Sequence, residues 1–250
     1  MSGSILYMGD TTLDTAAAYL AGLLTLRGCH FEYLASDEPL TEQHLQQPRS
    51  LYILSDYPAA RISSDLQERI VKDVEKGSGL LMIGGWESFH GIGGDWDGTS
   101  LSDVLPVAIA GTDDRLNCDH PVFARWAVSH AITSGLPWEE RPPLIGGLNR
   151  TTAKPGAATI LTAAHYSARI QDGDVVLTPA DVDPLLVIGE CGAGRTAALM
   201  TDVAPHWVGP LVDWGPDRVT AEIPGVAEVE VGSDYAQFVW QLVEWTAGSS

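Results

Sequence analysis

The chain has 250 residues, with 14 Lys and Arg against 33 Asp and Glu, a formal charge of −19. That balance argues against a surface that neutralises nucleic-acid phosphates or docks on anionic lipid, so neither nucleic acid nor membrane is an expected partner. A hydrophobic content of 45 % with eight Trp excludes a disordered chain and supports a sizeable core.

Three cysteines at wide spacings, Cys29, Cys118 and Cys191, suggest neither a disulfide framework nor a CxxC zinc site. The Met-Ser-Gly-Ser start shows no basic leader, and the longest apolar run, residues 15–26, is too short to span a bilayer. The expectation is a cytoplasmic protein folded as one domain over residues 1–250.

In chain order, residues 4–8 form a short apolar run ending in Gly9-Asp10, which predicts a buried strand. Helical spacing of Leu13, Ala17, Leu20 and Leu24 predicts a helix over 11–27, capped by Thr11 or Thr12 and ended by Gly28. Residues 30–34 and 51–54 read as strands, the second running into Ser55-Asp56-Tyr57-Pro58. An amphipathic helix over 64–76 buries Leu66, Ile70 and Val74, and Gly77 closes it. Residues 80–83 are a fourth strand ending in Gly84-Gly85, and 101–105 a helical turn before Pro106. Strands separated by helices predict a parallel sheet covered on both faces. Residues 111–143 show no clear period. Short apolar runs at 158–163, 184–189 and 195–200 predict hairpin-connected strands, and 233–245 a last helix with Phe238, Leu242 and Trp245 at core spacing.

In such a sheet, ligands bind beyond the carboxyl ends of the strands. The residues there are Gly9 and Asp10; Ser55, Asp56 and Tyr57; Gly85 through His90; and Asp202 through Trp207, with Asn149 and Arg150 joining from the strand near Leu144. The richest segment runs Gly84-Gly85-Trp86-Glu87-Ser88-Phe89-His90-Gly91. Small residues around a projecting side chain suit a sharp strand-to-helix elbow, and Glu87, Ser88 and His90 suit acid–base work or polar-ligand binding. At 202–207 a carboxylate, an imidazole and an indole (Asp202, His206 and Trp207) suit a polar–aromatic pocket. Expected ligand-binding residues are therefore Asp10, Tyr57, Gly85, Trp86, Ser88, His90, Asn149, Asp202 and Trp207, with Glu87 and His206 as the acid–base pair.

Other patterns are discounted. Residues 189–196 nearly match a phosphate-binding loop, but Arg195 stands for Lys and a strand follows, so a glycine-rich hairpin turn with Cys191 in it is expected. Asp95 and Asp97 are half of a calcium loop without its remaining ligands. No metal site and no cofactor are expected.

The segments at 84–91, 99–107, 135–138, 184–195 and 202–207 together resemble class I glutamine amidotransferase-like proteins, in a branch of glutamine amidotransferase homologues with trehalose-utilisation-type proteins as distant kin. The resemblance implies an α/β flavodoxin-like three-layer sandwich with a largely parallel sheet and some antiparallel hairpin strands in the C-terminal half. It also implies a Cys at the elbow and a His-x-Glu pair. Here the elbow offers Trp86 or Glu87, according to register, and Val208 follows His206 where Glu would stand. A carboxylate or indole cannot replace a thiolate nucleophile. The expected function is therefore a non-glutaminase binding or interaction module. The alternative is an enzyme of altered, hydrolytic chemistry on a carbohydrate-like substrate, using Glu87 and His206. Residues 77–114 hold six acids and no Lys or Arg. A neutral polar or cationic small molecule is thus the expected ligand, and a second copy of the chain an expected partner.

Overall fold

The computed structural model describes residues 4–223, 225–226 and 228–248. Its strands are β1 (Ser4–Gly9), β2 (Phe31–Leu34), β3 (Arg49–Ser55), β4 (Gly79–Ile83), β5 (Val107–Ala108), β6 (Arg115–Asn117), β7 (Val122–Trp126), β8 (Gly147–Asn149), β9 (Thr152–Ala153), β10 (Ala158–Gln171), β11 (Asp174–Cys191), β12 (Gly194–Leu199), β13 (Arg218–Ala221) and β14 (Val229–Gly232). The α-helices are α1 (Ala17–Leu26), α2 (Ser64–Glu75), α3 (Ser100–Val104), α4 (Pro205–Val208) and α5 (Ser233–Thr246).

The main sheet has eight strands in the order β2-β1-β3-β4-β12-β11-β10-β7, with three small antiparallel pairs beside it. The five strands from β2 to β12 run parallel, and β11, β10 and β7 join antiparallel. This is an α/β protein with a large mixed sheet. Central parallel strands are covered on both faces, so they read as unbroken apolar runs. Accordingly Ile5, Leu6, Tyr7 and Met8 of β1 and Leu80, Leu81, Met82 and Ile83 of β4 are all buried.

Helix α2 buries Leu66, Ile70 and Val74, one face at a 3.6-residue period. Helix α1 starts six residues later than its spacing predicts. Thr15 turns back to bond the Thr12 carbonyl, and Ala16, with no capping side chain, precedes the first turn. Thr and Ser favour such local bonds over helix, which is why residues 11–16 stay outside it. Gly28 ends α1 with φ +67°. The hairpin strands expected from the short runs at 158–163 and 184–189 are much longer: β10 has 14 residues and β11 has 18. They turn at Asp172-Gly173, both with positive φ, the favoured pair for a tight hairpin. The near phosphate-binding loop is indeed a hairpin turn, at Gly192-Ala193 between β11 and β12.

Because β1, β3, β4 and β12 are parallel, their carboxyl ends share one edge of the sheet. Gly9-Asp10, Ser55-Asp56, Gly84-Gly85 and Met200-Thr201-Asp202 emerge there.

Candidate functional site

Four carboxylates meet at this edge. Asp10 follows β1, Asp56 follows β3, Glu87 lies three residues beyond Gly84 after β4, and Asp202 follows β12. Asp10 and Asp56 each take a left-handed backbone, at φ +51° and +49°, a conformation that Asp tolerates better than most residues.

The carboxyls are buried with few compensating charges. Burial pushes Asp10 up to about 7, with the nearby Asp56 and Glu87 charges adding to it and a hydrogen bond from Tyr7 opposing it. The Tyr7 hydroxyl donates to Asp10 Oδ2 at 2.9 Å, and the Tyr33 hydroxyl donates to the Asp10 carbonyl. Burial likewise pushes Asp56 up to about 6, against bonds from the Glu87 and Trp86 amides. Asp202 is pushed well above the usual carboxylate range by burial and by Asp56 and Asp10. Its Oδ1 accepts the Val203 and Ala204 amides. Glu87, half-buried, is raised by burial and eased by Arg61. Each charge disfavours its neighbours, so the edge holds protons near neutral pH.

The loop after β4 is tied down from several sides. The Gly85 amide donates to Asn149 Oδ1 at 2.9 Å, and Asn149 Nδ2 donates to the Gly85 carbonyl and to Asp114 Oδ1. The Asp114 carboxylate also accepts the His90 and Gly91 amides. Ser88 Oγ accepts the Asp56 amide. A Cβ on Gly85 would lie 2.1 Å from Asp56 Oδ1, and one on Gly84 would lie 2.1 Å from the Met200 carbonyl oxygen. The glycine pair is there because a carboxylate and a neighbouring strand end pass within reach of its α-carbons.

The elbow expectation needs correcting. No helix follows β4 directly; turns fill residues 85–99 before α3. Neither Trp86 nor Glu87 has the strained left-handed backbone of a nucleophile elbow. The residue that does is Phe89, at φ +51°, and its ring is fully buried.

The sequence-selected residues separate into two groups. Trp86 is 46 % exposed, His206 is exposed, and their rings lie 6.2 Å apart. The Arg115 guanidinium sits 4.4 Å from the Trp86 ring centre on the other contact. Glu87 and His90 are half-buried, and His90 Nδ1 pairs with Asp97 Oδ1 at 2.6 Å, which raises the imidazole. Asp10, Tyr57, Gly85, Ser88, Asn149, Asp202 and Trp207 are buried. Tyr57 donates to the Glu38 carbonyl, and Trp207 Nε1 donates to Asn117 Oδ1. Tyr57, Ser88, Asn149 and Trp207 therefore spend their polar atoms on the protein and position the edge. Among the hydrogen bonds and ion pairs of the described residues none joins Glu87 to His206, so the acid–base pair is not assembled as a pair.

Sequence reasoning did not single out Asp114, Arg115, Tyr7 or Tyr33. Tyr7 and Tyr33 sit in strands and read as core, and Asp114 and Arg115 fall in the irregular middle without a period. A cleft of about 720 Å³ lies at the opposite end of the strands, lined among others by His130, Lys154, Arg195, Thr196 and Trp245. No described group of three or more His, Cys, Asp or Glu residues could hold a metal ion.

A family model described as "Putative glutamine amidotransferase" matches residues 50–218. The chain belongs to this glutamine amidotransferase-like family. Its matched segment covers β3 through the start of β13 and so includes the Gly84-Gly85 loop, Asn149 and Asp202. The fold is similar to that of the cytoplasmic protein STM3548 from Salmonella typhimurium, at 22 % identity over 97 % of this chain and 98 % of that one, with a TM-score of 0.73. It is also similar to the cytoplasmic protein STM1381 from Salmonella typhimurium LT2, at 25 % identity over 83 % and 91 %, TM-score 0.65. A "Putative thua-like protein" from Parabacteroides merdae aligns over 99 % and 90 % at 12 % identity, TM-score 0.64, a likeness of fold. No curated protein matches the chain. No helix among the described residues is long and apolar enough to cross a membrane.

Proposed function

We propose that this family member is not a glutaminase and that its acidic strand-end edge binds a small neutral or cationic polar molecule. The observation that carries this is the placement of the thiols. The loop after β4 has Trp86 and Glu87 and no Cys. Cys29, Cys118 and Cys191 lie elsewhere, and burial raises all three, Cys118 to about 11. Amide attack needs a thiolate, which a raised pKa withholds.

Ligand charge follows from the carboxyls. An anion at this edge would add to the repulsion among Asp10, Asp56, Asp202 and Glu87. A cation or hydrogen-bond donor would relieve it. Trp86 and His206 are the exposed rings that such a ligand would meet first. The same reading takes the whole chain as one domain with a flavodoxin-like layering, α1 packed with α5 and α2 with α3 as its covering helices. It puts the protein in the cytoplasm, the compartment named for the two Salmonella proteins.

Two assays test it. Purified protein incubated with glutamine should release no ammonia above a Cys191→Ala, Cys118→Ala control. Release that either substitution abolishes would overturn the non-glutaminase reading. In a thermal-shift screen of amines, sugars and carboxylates, amines or sugars should stabilise the protein and carboxylates should not. Ligand at 100 times its Kd contributes about 2.7 kcal/mol. Trp86→Ala with Glu87→Gln should remove the shift. Selective stabilisation by carboxylates would sink the charge argument.

A further inference from the structure

The hairpin formed by β10 and β11 runs well past the sheet. Strand β7 pairs with β10 only over Leu161–His165, and β12 pairs with β11 only over Leu186–Cys191. Beyond those limits the hairpin is a two-stranded ribbon with both outer edges unpaired among the described strands.

Its register sorts side chains onto two faces. Ile170 pairs with Val175, Ala168 with Leu177, and Tyr166 with Pro179. Successive residues in a strand alternate faces, so these six share one face and none is charged or amide-bearing. Past a bulge, Val182 pairs with Ala164 and continues the strip. The Tyr166 ring meets Phe123 of β7 edge-on at 5.4 Å, which joins the strip to the sheet. The other face carries Ser167, Arg169, Gln171, Asp174, Val176 and Thr178. Ile170 is 80 % exposed, Val175 69 % and Val182 61 %. The strip presents on the order of 600 Å² of apolar surface, at the top of the range for the largest patch on a monomer. A bare, one-sided ribbon in water is also only marginally stable by itself.

We propose that this strip is the interface of a homodimer, in which two ribbons pack face to face about a two-fold axis near the Ala168–Leu177 pair. Area and charge both select a second copy. Two strips in contact bury about 1,200 Å², the lower bound for a stable protein–protein interface. Two chains at −19 each repel wherever their general surfaces meet. The paired residues of the strip carry no carboxylate. At its ends the charges are unlike: Arg125, on the same face beside Phe123, marks the base, and Asp172, in the hairpin turn, marks the tip. An antiparallel two-fold brings each base to the other copy's tip, a self-complementary arrangement.

The test is the mass of the full chain in solution by light scattering across a dilution series. Wild type should be a dimer. Ile170→Asp with Val175→Asp buries carboxylates in an apolar interface with no partner cation and should raise the dimer Kd by at least about a hundredfold. Ser167→Asp with Thr178→Asp, on the polar face, should leave it unchanged. Circular dichroism melts report whether each variant is folded. Independently of them, Ala168→Cys should form an intermolecular disulfide under mild oxidation and Ser167→Cys should not. A monomeric wild type overturns the proposal, even if the ribbon then captures another protein or a hydrophobic probe. So does a dimer that survives the folded Ile170, Val175 double variant, or equal cross-linking at 167 and 168.

Discussion

Replacing Asp10 by Asn should make the protein more stable, and more so the higher the pH. Asp10 is buried, and its carboxyl titrates at about 7 in the folded protein against 3.8 as the reference. The folded state therefore binds a proton that the unfolded chain gives up near pH 4. A raised carboxyl favours the folded state while it stays protonated, below the unfolded value. That contribution is lost as the pH rises towards 7. Between pH 5 and pH 8, linkage makes the loss about 2.5 kcal/mol for this one group. Asn is nearly isosteric, still accepts the Tyr7 hydroxyl at Oδ1 and does not ionise. The stability of Asp10→Asn relative to wild type should then rise by about 2.5 kcal/mol from pH 5 to pH 8. Urea unfolding of both proteins at the two pH values measures it, and taking the difference cancels the titrations of groups not coupled to Asp10, while the relief of Asp202 acts in the same direction. A relative stability that is flat or falls across this interval refutes the claim that Asp10 is buried without a compensating cation.

Removing Asn149 should loosen the loop that presents Trp86 and Glu87. Asn149→Ala leaves the Gly85 amide and the Asp114 carboxylate without their shared partner and should cost about 2–4 kcal/mol in urea unfolding. Asn149→Asp, set against Asp114 Oδ1 at the present 2.8 Å contact, should cost more, and increasingly so above neutral pH; equal costs for the two variants would contradict the contact. Gly85→Ala puts a methyl 2.1 Å from Asp56 Oδ1 and should lower stability by at least about 1–3 kcal/mol, the range for overpacking; a thermal midpoint at the wild-type value would show that the loop has room. Binding of a cationic ligand at the edge should lower the Asp10 and Asp56 pKa values and release protons near pH 6.5. Calorimetry in buffers of different ionisation enthalpy reads that release, and net proton uptake would contradict it.

The parallel half of the fold was legible because burial on both faces leaves a simple signature. The runs at 4–8, 51–54 and 80–83 have almost no polar residue, and each ends in a small or acidic turn residue. That pattern located the strand ends and with them Asp10, Asp56, Gly85 and Asp202. The antiparallel half was harder. Tyr166, Ala168 and Ile170 alternate with polar residues, but the alternation is brief, and Pro179 interrupts the facing strand. The Asp172-Gly173 turn was the available signal for a long hairpin. Asp114 carried no signal of its own, since its role comes from three groups distant in sequence, Asn149 of β8 and the His90 and Gly91 amides, that converge on it. Tyr57 and Trp207 fall beyond strand ends, where position favours a ligand contact. Their ring sizes and the space beneath them decide for the core instead, and ring packing is not written in spacing.

The cost of the acidic edge is itself informative. The described cations closest to it, Arg61 near Glu87 and Arg115 on Trp86, serve its exposed rim and do not reach Asp10 or Asp202 as ion-pair partners among the described residues. The amides of residues 86, 87, 203 and 204 could be satisfied by Asn or Ser side chains, which bear no charge to desolvate. A fold selected for stability alone has no reason to place raised carboxyls beyond the ends of four successive strands, β1, β3, β4 and β12, and then fix them with Tyr7 and backbone amides. Perturbed groups held in place at stability's expense are what a site is made of. In the opposite cleft burial lowers Lys154 and His130, but Lys154 donates to the Ser102 and Asp103 carbonyls at the end of α3, an ordinary helix-terminal contact. The cost of mutually repelling buried carboxyls lies at the strand ends, and a ligand able to relieve it would find its binding energy there.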